Sequence, residues 1–396
     1  MIAAAMALTV WLAQAAQPTG YASVFVDHFP NRDATELRAR VFAEEKIDAG
    51  PRIRITASGF VEGLAADRSG NVTDAIVEPQ DVTFSLRTPR AELTAGLGRV
   101  VWGRLDELQP TDVVNPLDLS RFFFEGRSDA RMSVPLVRGR VFAGEHASVE
   151  AIYVPFFRRA RFDRLDEPSS PFNLAPRAPQ GGPVPVLDRT PARIAANAQG
   201  GARVNLTTGR VDWSVSAYDG FRPFGLYSLS PAGVLERSYA RFTMIGGDFE
   251  TVHGAWAARG EVAVFPLDVF QTTSSPEIFH GASFDAGAGV DRKAGDYRVS
   301  GDVLVHRESH DRASRTDVSM IASVDRDFAR QKYQGRIFAL YNPGEASGFV
   351  RAIATAGVGD NMKVEGSIGW FAGSGEDTIS RFADSDFVYL RLKYFF

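Results

Sequence analysis

The chain has 396 residues, a formal net charge of −4, no cysteine, and many glycines and phenylalanines. The lack of cysteine excludes disulfides and thiolate metal sites, and the slightly acidic charge gives no basic surface for nucleic acid. No apolar run is long enough for a membrane-spanning helix, which excludes an all-helical membrane protein. Composition alone still allows a soluble multidomain protein, so the residue pattern has to decide.

The first residues have the pattern of an export signal. Residues 2–16 form a short apolar run that ends in a small-x-small pattern at Ala13–Ala15 or Gln14–Ala16. No Lys or Arg precedes this run, so only the amino terminus supplies positive charge. We predict a secretory signal peptide over residues 1–16 and a single domain over residues 17–396.

Segments that alternate apolar and polar residues recur along the rest of the chain. In one of them Val211, Trp213 and Val215 alternate with Asp212 and Ser214, which is the period of a half-exposed strand. Eighteen strands are predicted, with sixteen as the close alternative. They lie near residues 20–28, 35–46, 52–62, 80–88, 91–103, 132–142, 147–156, 200–207, 210–218, 238–249, 253–265, 282–291, 296–306, 318–326, 333–341, 348–358, 361–371 and 386–396.

The connections between these strands sort by length. Tight links, such as residues 48–51, 88–90 and 359–360, are predicted to alternate strictly with longer polar or Pro-rich connections. A soluble sandwich would not sort its connections in this way. The pattern predicts an all-β transmembrane antiparallel barrel with short periplasmic turns and long extracellular loops, and an even strand number leaves both termini in the periplasm. Closure pairs every backbone group and leaves no strand edge.

Two long insertions, residues 104–131 and 157–199, are predicted to be ordered extracellular loops that fold over or into the lumen. Acidic and basic side chains facing one another there would create a transverse field that orients solutes. The candidates for this pore constriction are Asp106, Asp112, Asp118, Arg121, Arg127, Arg131, Arg158 and Arg159. In the more modest interpretation, Asn115 caps and Pro116 opens a one-turn helix that anchors the loop, with Asp118 in its first turn.

The same region carries a family resemblance. Trp102-Gly103, Asp106, Asp112, Asn115-Pro-Leu-Asp118 and Ser170-Pro-Phe-Asn173 resemble the Trp-Gly, acidic, Asn-Pro-x-Asp signature of an uncharacterised family of Gram-negative outer-membrane β-barrels. The match covers roughly residues 90–175. The resemblance implies a porin-like protein of unassigned substrate, with a role in transport or export of a lipidic or hydrophobic compound as one option, and it supplies no catalytic residues.

Strand parity predicts which charged residues line the lumen. The candidates for the lumen wall are Arg298, Asp302, Arg351, Glu365, Arg391 and Lys393. Arginine forks and carboxylates at strand spacing would form ladders across the inner wall. A wet polar interior favours a channel, and its arginines could also select an anionic solute.

The sequence offers only weak candidates for a catalytic or metal-binding site. No Gly-x-Ser-x-Gly elbow is present. The best metal candidate, His306, Glu308, His310 and Asp311, would meet a cation only if the chain curls there, and an ordinary solvated loop is the favoured interpretation. We therefore predict no catalysis, no cofactor and no metal.

Aromatic runs are the remaining feature that bears on the solute. They occur at residues 122–124, 156–157 and 221–227. An aromatic belt at the outer interface, together with loop packing, is the favoured interpretation. The functional alternative is a hydrophobic collecting surface at the outer mouth.

The last strand, residues 387–396, has apolar side chains at alternate positions and Arg391 and Lys393 between them. A terminal Phe396 behind such a strand resembles the signal by which Gram-negative barrels reach their assembly machinery. We predict an outer-membrane location with the lipid bilayer and lipopolysaccharide as partners, and a porin-like channel as the function. The alternatives are a gated transporter or exporter of a hydrophobic or lipidic compound, and a structural or adhesion barrel.

Overall fold

The fold is described from a computed structural model, which covers residues 18–68, 71–161, 170–172, 185–271, 277–310 and 313–396. The predicted signal peptide lies outside the described residues. The strands of the described residues are β1 (Thr19–Phe29), β2 (Ala34–Ala49), β3 (Ile53–Asp67), β4 (Asn71–Arg87), β5 (Ala91–Gly98), β6 (Val134–Phe142), β7 (Ala147–Val154), β8 (Val186–Asp188), β9 (Gln199–Thr208), β10 (Val211–Phe221), β11 (Leu226–Leu229), β12 (Leu235–Ser238), β13 (Arg241–His253), β14 (Trp256–Gln271), β15 (Ile278–Ala294), β16 (Tyr297–His310), β17 (Ala313–Phe328), β18 (Tyr333–Asn342), β19 (Ser347–Val358), β20 (Met362–Ala372) and β21 (Phe387–Phe395).

Eighteen of these strands form one antiparallel sheet that closes on itself. The last strand, β21, pairs with the first, β1, from Tyr21 opposite Phe395 to His28 opposite Val388. The predicted number of strands and the predicted closure of the barrel are both confirmed. Because the sheet has no edge, its strands can pair all their ladder groups inside the sheet.

Three short strands form a separate sheet at the mouth of the barrel. The hairpin of β11 and β12 is antiparallel, and β8 adds to β12 in parallel, with Val186 opposite Leu235. This small sheet joins the long connection after β7 to the connection after β10. The helices are short: α1 (Leu119–Glu125), α2 (Arg127–Ala130) and α3 (Thr378–Arg381), with 3₁₀ turns at Pro30–Arg32 and Ala195–Asn197.

The two faces of the barrel wall differ in chemistry. On β21 Leu390 is 61% exposed, whereas its neighbour Tyr389 is buried inside the barrel. Along the other strands the outward positions are likewise apolar, and exposed rings such as Trp256, Tyr297 and Tyr333 lie near one end. This is the apolar belt with an aromatic girdle that a bilayer requires of a barrel. Among the described residues, no helix is long and apolar enough to span a membrane.

Connections at the two ends of the barrel differ, but less regularly than predicted. The end that carries both chain termini, the turn end, has links of two to four residues, such as 254–255 and 329–332. The opposite end, the loop end, has the long connections 99–133, 155–198 and 222–240. It also has short ones, so strict alternation of tight and longer links was wrong in detail. The strands run further toward the loop end than the sequence pattern indicates, which shortens those connections.

Two prolines account for strands that were predicted too short. Pro79 lies in β4, where the register shifts opposite Ala57 and Gly59, and Pro266 lies in β14 beside a second register shift. Proline has no N–H for the ladder, and a bulge removes the need for one. Each strand therefore continues through its proline.

Candidate functional site

The connection between β5 and β6, residues 99–133, lies inside the barrel, and we call it the inner loop. On one side the backbone N–H of Arg104 donates to Glu261 of β14 at 2.5 Å. On the other side Glu125 accepts from Arg40 of β2 at 2.7 Å and from Arg391 of β21 at 3.3 Å. The loop therefore spans the lumen and is held by charged hydrogen bonds at both sides. Its bounds are wider than the predicted 104–131 because β5 ends at Gly98.

The local fold of the inner loop differs from the prediction. The cap of α1 is Asp118, whose carboxylate accepts from the N–H of Ser120 at 3.1 Å and from its hydroxyl at 2.6 Å. Asn115, predicted to be the cap, is buried instead. Its amide accepts from the N–H of Val100 at 2.7 Å and donates to the carbonyl of Met132 at 2.7 Å. Asn115 thus joins the two ends of the loop, which short-range capping patterns cannot reveal.

Most of the candidate constriction charges are paired and enclosed. Asp112 accepts from Arg131 at 2.5 Å and from Arg127 at 3.1 Å. Arg121 pairs with Glu125 at 2.6 Å, one helical turn away. These pairs neutralise acid with base inside the loop, and of these residues Glu125 and Arg127 line the cavity described below.

The second long connection ties the inner loop to the wall. Arg161 donates to Asp118 at 3.1 Å, and Arg158 donates to both carboxylate oxygens of Glu78 on β4, at 2.7 and 2.8 Å. Arg159 lies apart from them, 4.0 Å from Asp188 in the small sheet. Arg158 therefore belongs to the lumen, whereas Arg159 belongs to the mouth.

Glu125 is the carboxyl group on which several arginines converge. Burial by itself raises the pKa of Glu125, but Arg121, Arg40 and Arg391 outweigh it and hold the pKa well below its ordinary value. A carboxylate that remains ionised among arginines holds α1 to the barrel wall through ion pairs.

Behind α1 lies a group of charged residues that we call the sealed wall: Glu36, Arg38 and Arg40 of β2, Glu62 of β3, and Arg68. Glu36 accepts from Arg38 at 2.5 Å and from Arg68 at 2.8 Å, and Glu62 accepts from Arg40. All five side chains are buried. The arginines of β2 face the inside of the barrel, but the inner loop covers them.

An aromatic cluster fills the space between α1 and the wall formed by β18 to β21 and β1. Phe123 stacks on Phe172 of the second loop with ring centroids 5.1 Å apart, and Phe349 stacks on Phe371 at 4.3 Å. The hydroxyl of Ser385 donates to the carbonyl of Pro171 at 2.7 Å, which fixes residues 170–172 beside the cluster. The run 122–124 is therefore part of a packed core and does not lie at the outer interface.

A second apolar cluster fixes the start of the inner loop. The indole N–H of Trp102 donates to Glu150 of β7 at 2.8 Å, and its ring lies edge-on to Tyr218 of β10 at 6.0 Å. Val100, Val114 and other buried side chains complete this cluster against β6, β7, β10, β13 and β14. The inner loop is thus anchored by apolar packing on both sides of the barrel.

Near its start the inner loop also touches β15 and β16. Leu105 is buried against two inward-facing glycines of β15, Gly287 and Gly289. A Cβ at Gly287 would lie 2.5 Å from Cδ1 of Leu105 and 3.1 Å from Cγ of Leu304 on β16. Only glycine leaves room for this close approach, so the pair forms a notch that receives Leu105.

A cavity of about 830 Å³ remains between the inner loop and the wall formed by β15 to β20. It lies toward the turn end, since the residues that flank the link between β15 and β16 line it. The charged residues that line it are Asp106, Glu107, Glu125, Asp291, Asp296, Asp325, Asp327 and Glu365, together with Arg127, Lys293, Arg298, Arg326 and Arg336. We call the lumen-facing side of β15, β16 and β17 the open wall.

The candidate wall residues point inward. Arg298 donates to Asp291 at 3.3 Å, and Arg391 pairs with Glu365 at 2.7 Å. Arg351 of β19 donates to Ser367 at 3.0 Å. The remaining two are Asp302, buried on β16, and Lys393, whose ammonium lies 4.1 Å from the ring centre of Tyr21.

The histidine cluster at the loop end of the open wall is an ion-pair group. His306 interacts with Asp285 through Nδ1 and with Glu308 through Nε2 at 3.1 Å. The ring of His310 stacks on Phe279 at 4.8 Å, and Asp311 lies outside the described residues. Within the described ranges, no group of three or more Asp, Glu, His or Cys side chains is placed to hold a metal ion.

Comparison with known proteins gives structural likeness only. No protein-family model matches the chain, and no curated protein matches its sequence. Among solved structures it is similar to OccK5 (OpdH) of Pseudomonas aeruginosa, with a TM-score of 0.55, 8% identity, and 96% of this chain and 98% of that chain covered. It is also similar to the outer membrane protein OpdK of the same species, with a TM-score of 0.54, 10% identity, and coverages of 97% and 99%.

A third similar structure is that of P. aeruginosa OccK2 (OpdF) in complex with glucuronate, with a TM-score of 0.51, 11% identity, and coverages of 97% and 98%. At such identities the likeness concerns the fold. The fold is that of an outer-membrane β-barrel.

Proposed function

We propose that the protein is a porin-like channel that passes small polar solutes across the outer membrane of a Gram-negative bacterium, with the inner loop as its constriction. The observation that carries this proposal is the charged cavity of about 830 Å³ between the inner loop and the wall. A space of this size accommodates a small molecule. Its charged lining suits a hydrated solute.

A polar solute is favoured over a lipidic one by the position of the aromatic side chains. Phe123 and Phe124 are buried in the cluster formed with Phe172, so they present no collecting surface at the outer mouth. A route for a lipophilic molecule would need continuous apolar surface open to solvent, and the cavity is lined by charges instead. The proposal assigns passage of the solute without any chemical step.

The orientation follows from the connections. Short turns and both chain ends face the periplasm, and the long connections face outward. In this arrangement the apolar outer belt contacts the bilayer and its lipopolysaccharide leaflet. Phe396 lies at the last rung, where its N–H donates to the carbonyl of Gly20 at 3.1 Å. We propose that this terminal strand is the one handed to the assembly machinery.

We also propose that the Trp-Gly, Asn-Pro-x-Asp signature specifies how the inner loop folds. Trp102 anchors the loop on Glu150, Asn115 joins its two ends, and Asp118 caps α1. Ser170, at the start of the Ser-Pro-Phe stretch, is buried, and Phe172 stacks on Phe123 of α1. A family sharing this signature would share the constriction loop.

Planar-bilayer recording on the purified, refolded protein tests the function. We expect discrete conductance steps, and larger steps when residues 104–129 are replaced by a short Gly/Ser linker, because that segment crosses the lumen. The matched control is the same replacement at residues 230–234, the exposed tip of the β11–β12 hairpin, which should leave the step size unchanged. Absence of conductance from the folded wild type and from the shortened variant would overturn the channel function.

A further inference from the structure

The open wall and the sealed wall carry different net charge, and this bears on which solutes pass. We propose that the channel, if it conducts as argued above, prefers cationic over anionic solutes. The selectivity is set by Asp106, Glu107, Asp291 and Asp302, where the inner loop meets β15 and β16. This inference rests on the proposed channel function.

The arginines that would favour an anion are withdrawn from the passage. Arg38, Arg40 and Arg68 are buried, and the three buried carboxylates Glu36, Glu62 and Asp27 lie within 3.5 Å of them. A buried cluster in which acids and bases balance exerts only a weak field on a solute on the far side of the loop. The abundance of arginine in the sequence is therefore misleading, because it suggests a preference for anions that the lining of the passage does not support.

The cavity itself is acidic. Eight carboxylates line it, against five cationic side chains. Of the cations, Arg127 is engaged by Asp112, and of the carboxylates, Glu125 and Glu365 are engaged by Arg391, so an excess of carboxylates remains. A cleft that is lined by an excess of one charge between protein walls concentrates counter-ions of the opposite sign.

Asp302 supplies a second and independent observation. It faces inward from β16 between Ser300, which lines the cavity, and Leu304, and only 5% of its surface is exposed. Its Oδ2 atom has no hydrogen-bond partner among the described residues. An enclosed carboxylate oxygen without a donor is costly, and its charge acts on the neighbouring cavity without being neutralised by a hydrogen-bond donor.

The charged groups around Asp302 do not neutralise its carboxylate. Its strongest electrostatic neighbours are three carboxylates, Asp106, Asp291 and Glu107, and one cation, Arg259. Arg259 is shared, because it pairs with Asp106 at 3.2 Å and with Asp291 at 2.7 Å, and also contacts Glu250. Arg298 and Arg336, both partly exposed, reach Asp291 and Glu107 at 3.3 and 3.9 Å. Four carboxylates and three guanidinium groups therefore leave a net negative charge in this part of the wall.

The acidic character continues toward the loop end on the same strands. Asp285, Glu308 and Asp317 face the lumen there, with His306 and Arg315 between them. A solute entering from outside would meet this acidic stretch before the four carboxylates. Since the described residues contain no metal-binding group of three, the interaction is attraction of a mobile cation, and inorganic and organic monovalent cations are the expected solutes.

The test is the reversal potential of the refolded wild-type protein in a planar bilayer with a KCl gradient. We expect a reversal potential whose sign shows that K⁺ passes more readily than Cl⁻. The double variant Asp106→Asn with Asp302→Asn should lower the K⁺-to-Cl⁻ permeability ratio by roughly fivefold, the scale of a unit charge acting a few ångströms away in water. Glu145→Gln, which removes an exposed carboxylate in the turn between β6 and β7, should leave the ratio unchanged.

The outcomes separate the two proposals. Conductance with anion preference, or a ratio that the double variant leaves unchanged, would overturn the cation preference and leave the channel standing. No conductance at all would overturn the channel. If the double variant fails to fold, liposome swelling of the wild type with choline chloride against sodium glucuronate decides the sign, and faster entry of glucuronate would contradict the proposal.

Discussion

The sealed wall and the open wall are built from the same kinds of side chain but differ in what covers them. On the sealed wall, α1 of the inner loop lies over Arg40 and Glu62, and every charge is enclosed and paired. On the open wall, Asp325 and Arg298 remain exposed to the cavity. Strand parity tells which charges face the lumen, whereas loop packing decides which of them a solute meets.

The contacts between α1 and the sealed wall also explain how a long loop is held inside a barrel. Arg121 of α1 stacks over Phe60 of β3, with its guanidinium 4.5 Å from the ring centre, and Arg40 lies over the same ring at 4.6 Å. Cation–π contacts in enclosed sites are stronger than exposed ones. The sealed wall therefore acts as a dock for the loop, and the open wall is what the loop leaves free.

The largest expected effect is a loss of stability when a buried ion pair of the sealed wall is broken. Glu36→Ala leaves Arg38 and Arg68 buried with Asp27 as the nearby acid, 3.5 Å from Arg38. Losing one partner of a buried ion pair costs about 3–5 kcal/mol. We expect a loss of this size in the free energy of unfolding, measured by urea denaturation in detergent micelles.

Glu44→Gln is the control for that measurement. Glu44 lies on the same strand and pairs with Lys46 at 2.6 Å, but both side chains are partly exposed. Pairs of this kind contribute little. Equal destabilisation by the two variants would contradict the distinction between enclosed and exposed charges.

A smaller effect, with a defined pH dependence, is expected at Glu125. Glu125→Gln weakens the charged hydrogen bonds to Arg121, Arg40 and Arg391, at a cost of about 1.5–3 kcal/mol. Because the folded pKa of Glu125 is depressed by these arginines, its contribution is present above the unfolded pKa of about 4.3 and is lost as the pH falls through the folded pKa.

The difference in unfolding free energy between wild type and Glu125→Gln should therefore be full at neutral pH and still present at pH 4. It should shrink only under more acidic conditions. Urea titrations at several pH values measure it. A difference that grows as the pH falls would show that Glu125 does not hold α1 on the wall as an ionised group.

The contact of the loop with the open wall can be broken at Gly287. Gly287→Val would place branched carbon atoms where Leu105 packs, and such overpacking costs about 1–3 kcal/mol. We expect the inner loop to shift and the single-channel conductance to rise or become noisier. Gly63→Val is the control, since no atom lies within 4 Å of a Cβ at that position, and it should leave conductance unchanged.

The smallest effect concerns the charge of the open wall. Arg298 is half exposed and pairs with Asp291 at 3.3 Å. Arg298→Ala removes a cation from the cavity, so cation preference should rise slightly, by well under about 1 kcal/mol for an exposed charge. Reversal potentials measure this change, and a shift toward anions would contradict the acidic account of the wall.

Much of the barrel could be predicted from the sequence because the alternation that marks each strand can be recognised from neighbouring residues alone. The two-residue period indicated eighteen strands, the pairing of the last strand with the first, and the inward direction of Arg391 and Lys393. The strand predicted after Pro79 began too late and the strand predicted before Pro266 ended too early, because only the register shift against the partner strand shows that each proline is tolerated.

The candidate site was less predictable because its contacts join distant parts of the chain. Asp118 was expected in the first turn of a helix, yet it is the cap and also binds Arg161. The run 122–124 was expected in an aromatic belt together with loop packing. It packs inside the barrel, and the sequence could not show this because its partners Phe349 and Phe371 lie more than two hundred residues away. Glu125 carried no local signal, whereas Gly287, a glycine on the lumen-facing side of an alternating strand, was a usable hint.

The central claim is that the inner loop crosses the lumen and rests on the open wall, and engineered cysteines test it most directly. The chain has no cysteine, so Leu105→Cys with Gly287→Cys introduces a single possible disulfide, between side chains that are in contact only if the loop lies inside the barrel. We predict that this pair cross-links within one chain under mild oxidation in membranes, as seen by mass spectrometry of the joined peptides. The pair Leu105→Cys with Gly63→Cys should not cross-link. Failure of the first pair to form a bond, or equal bonding of both pairs, would contradict the account.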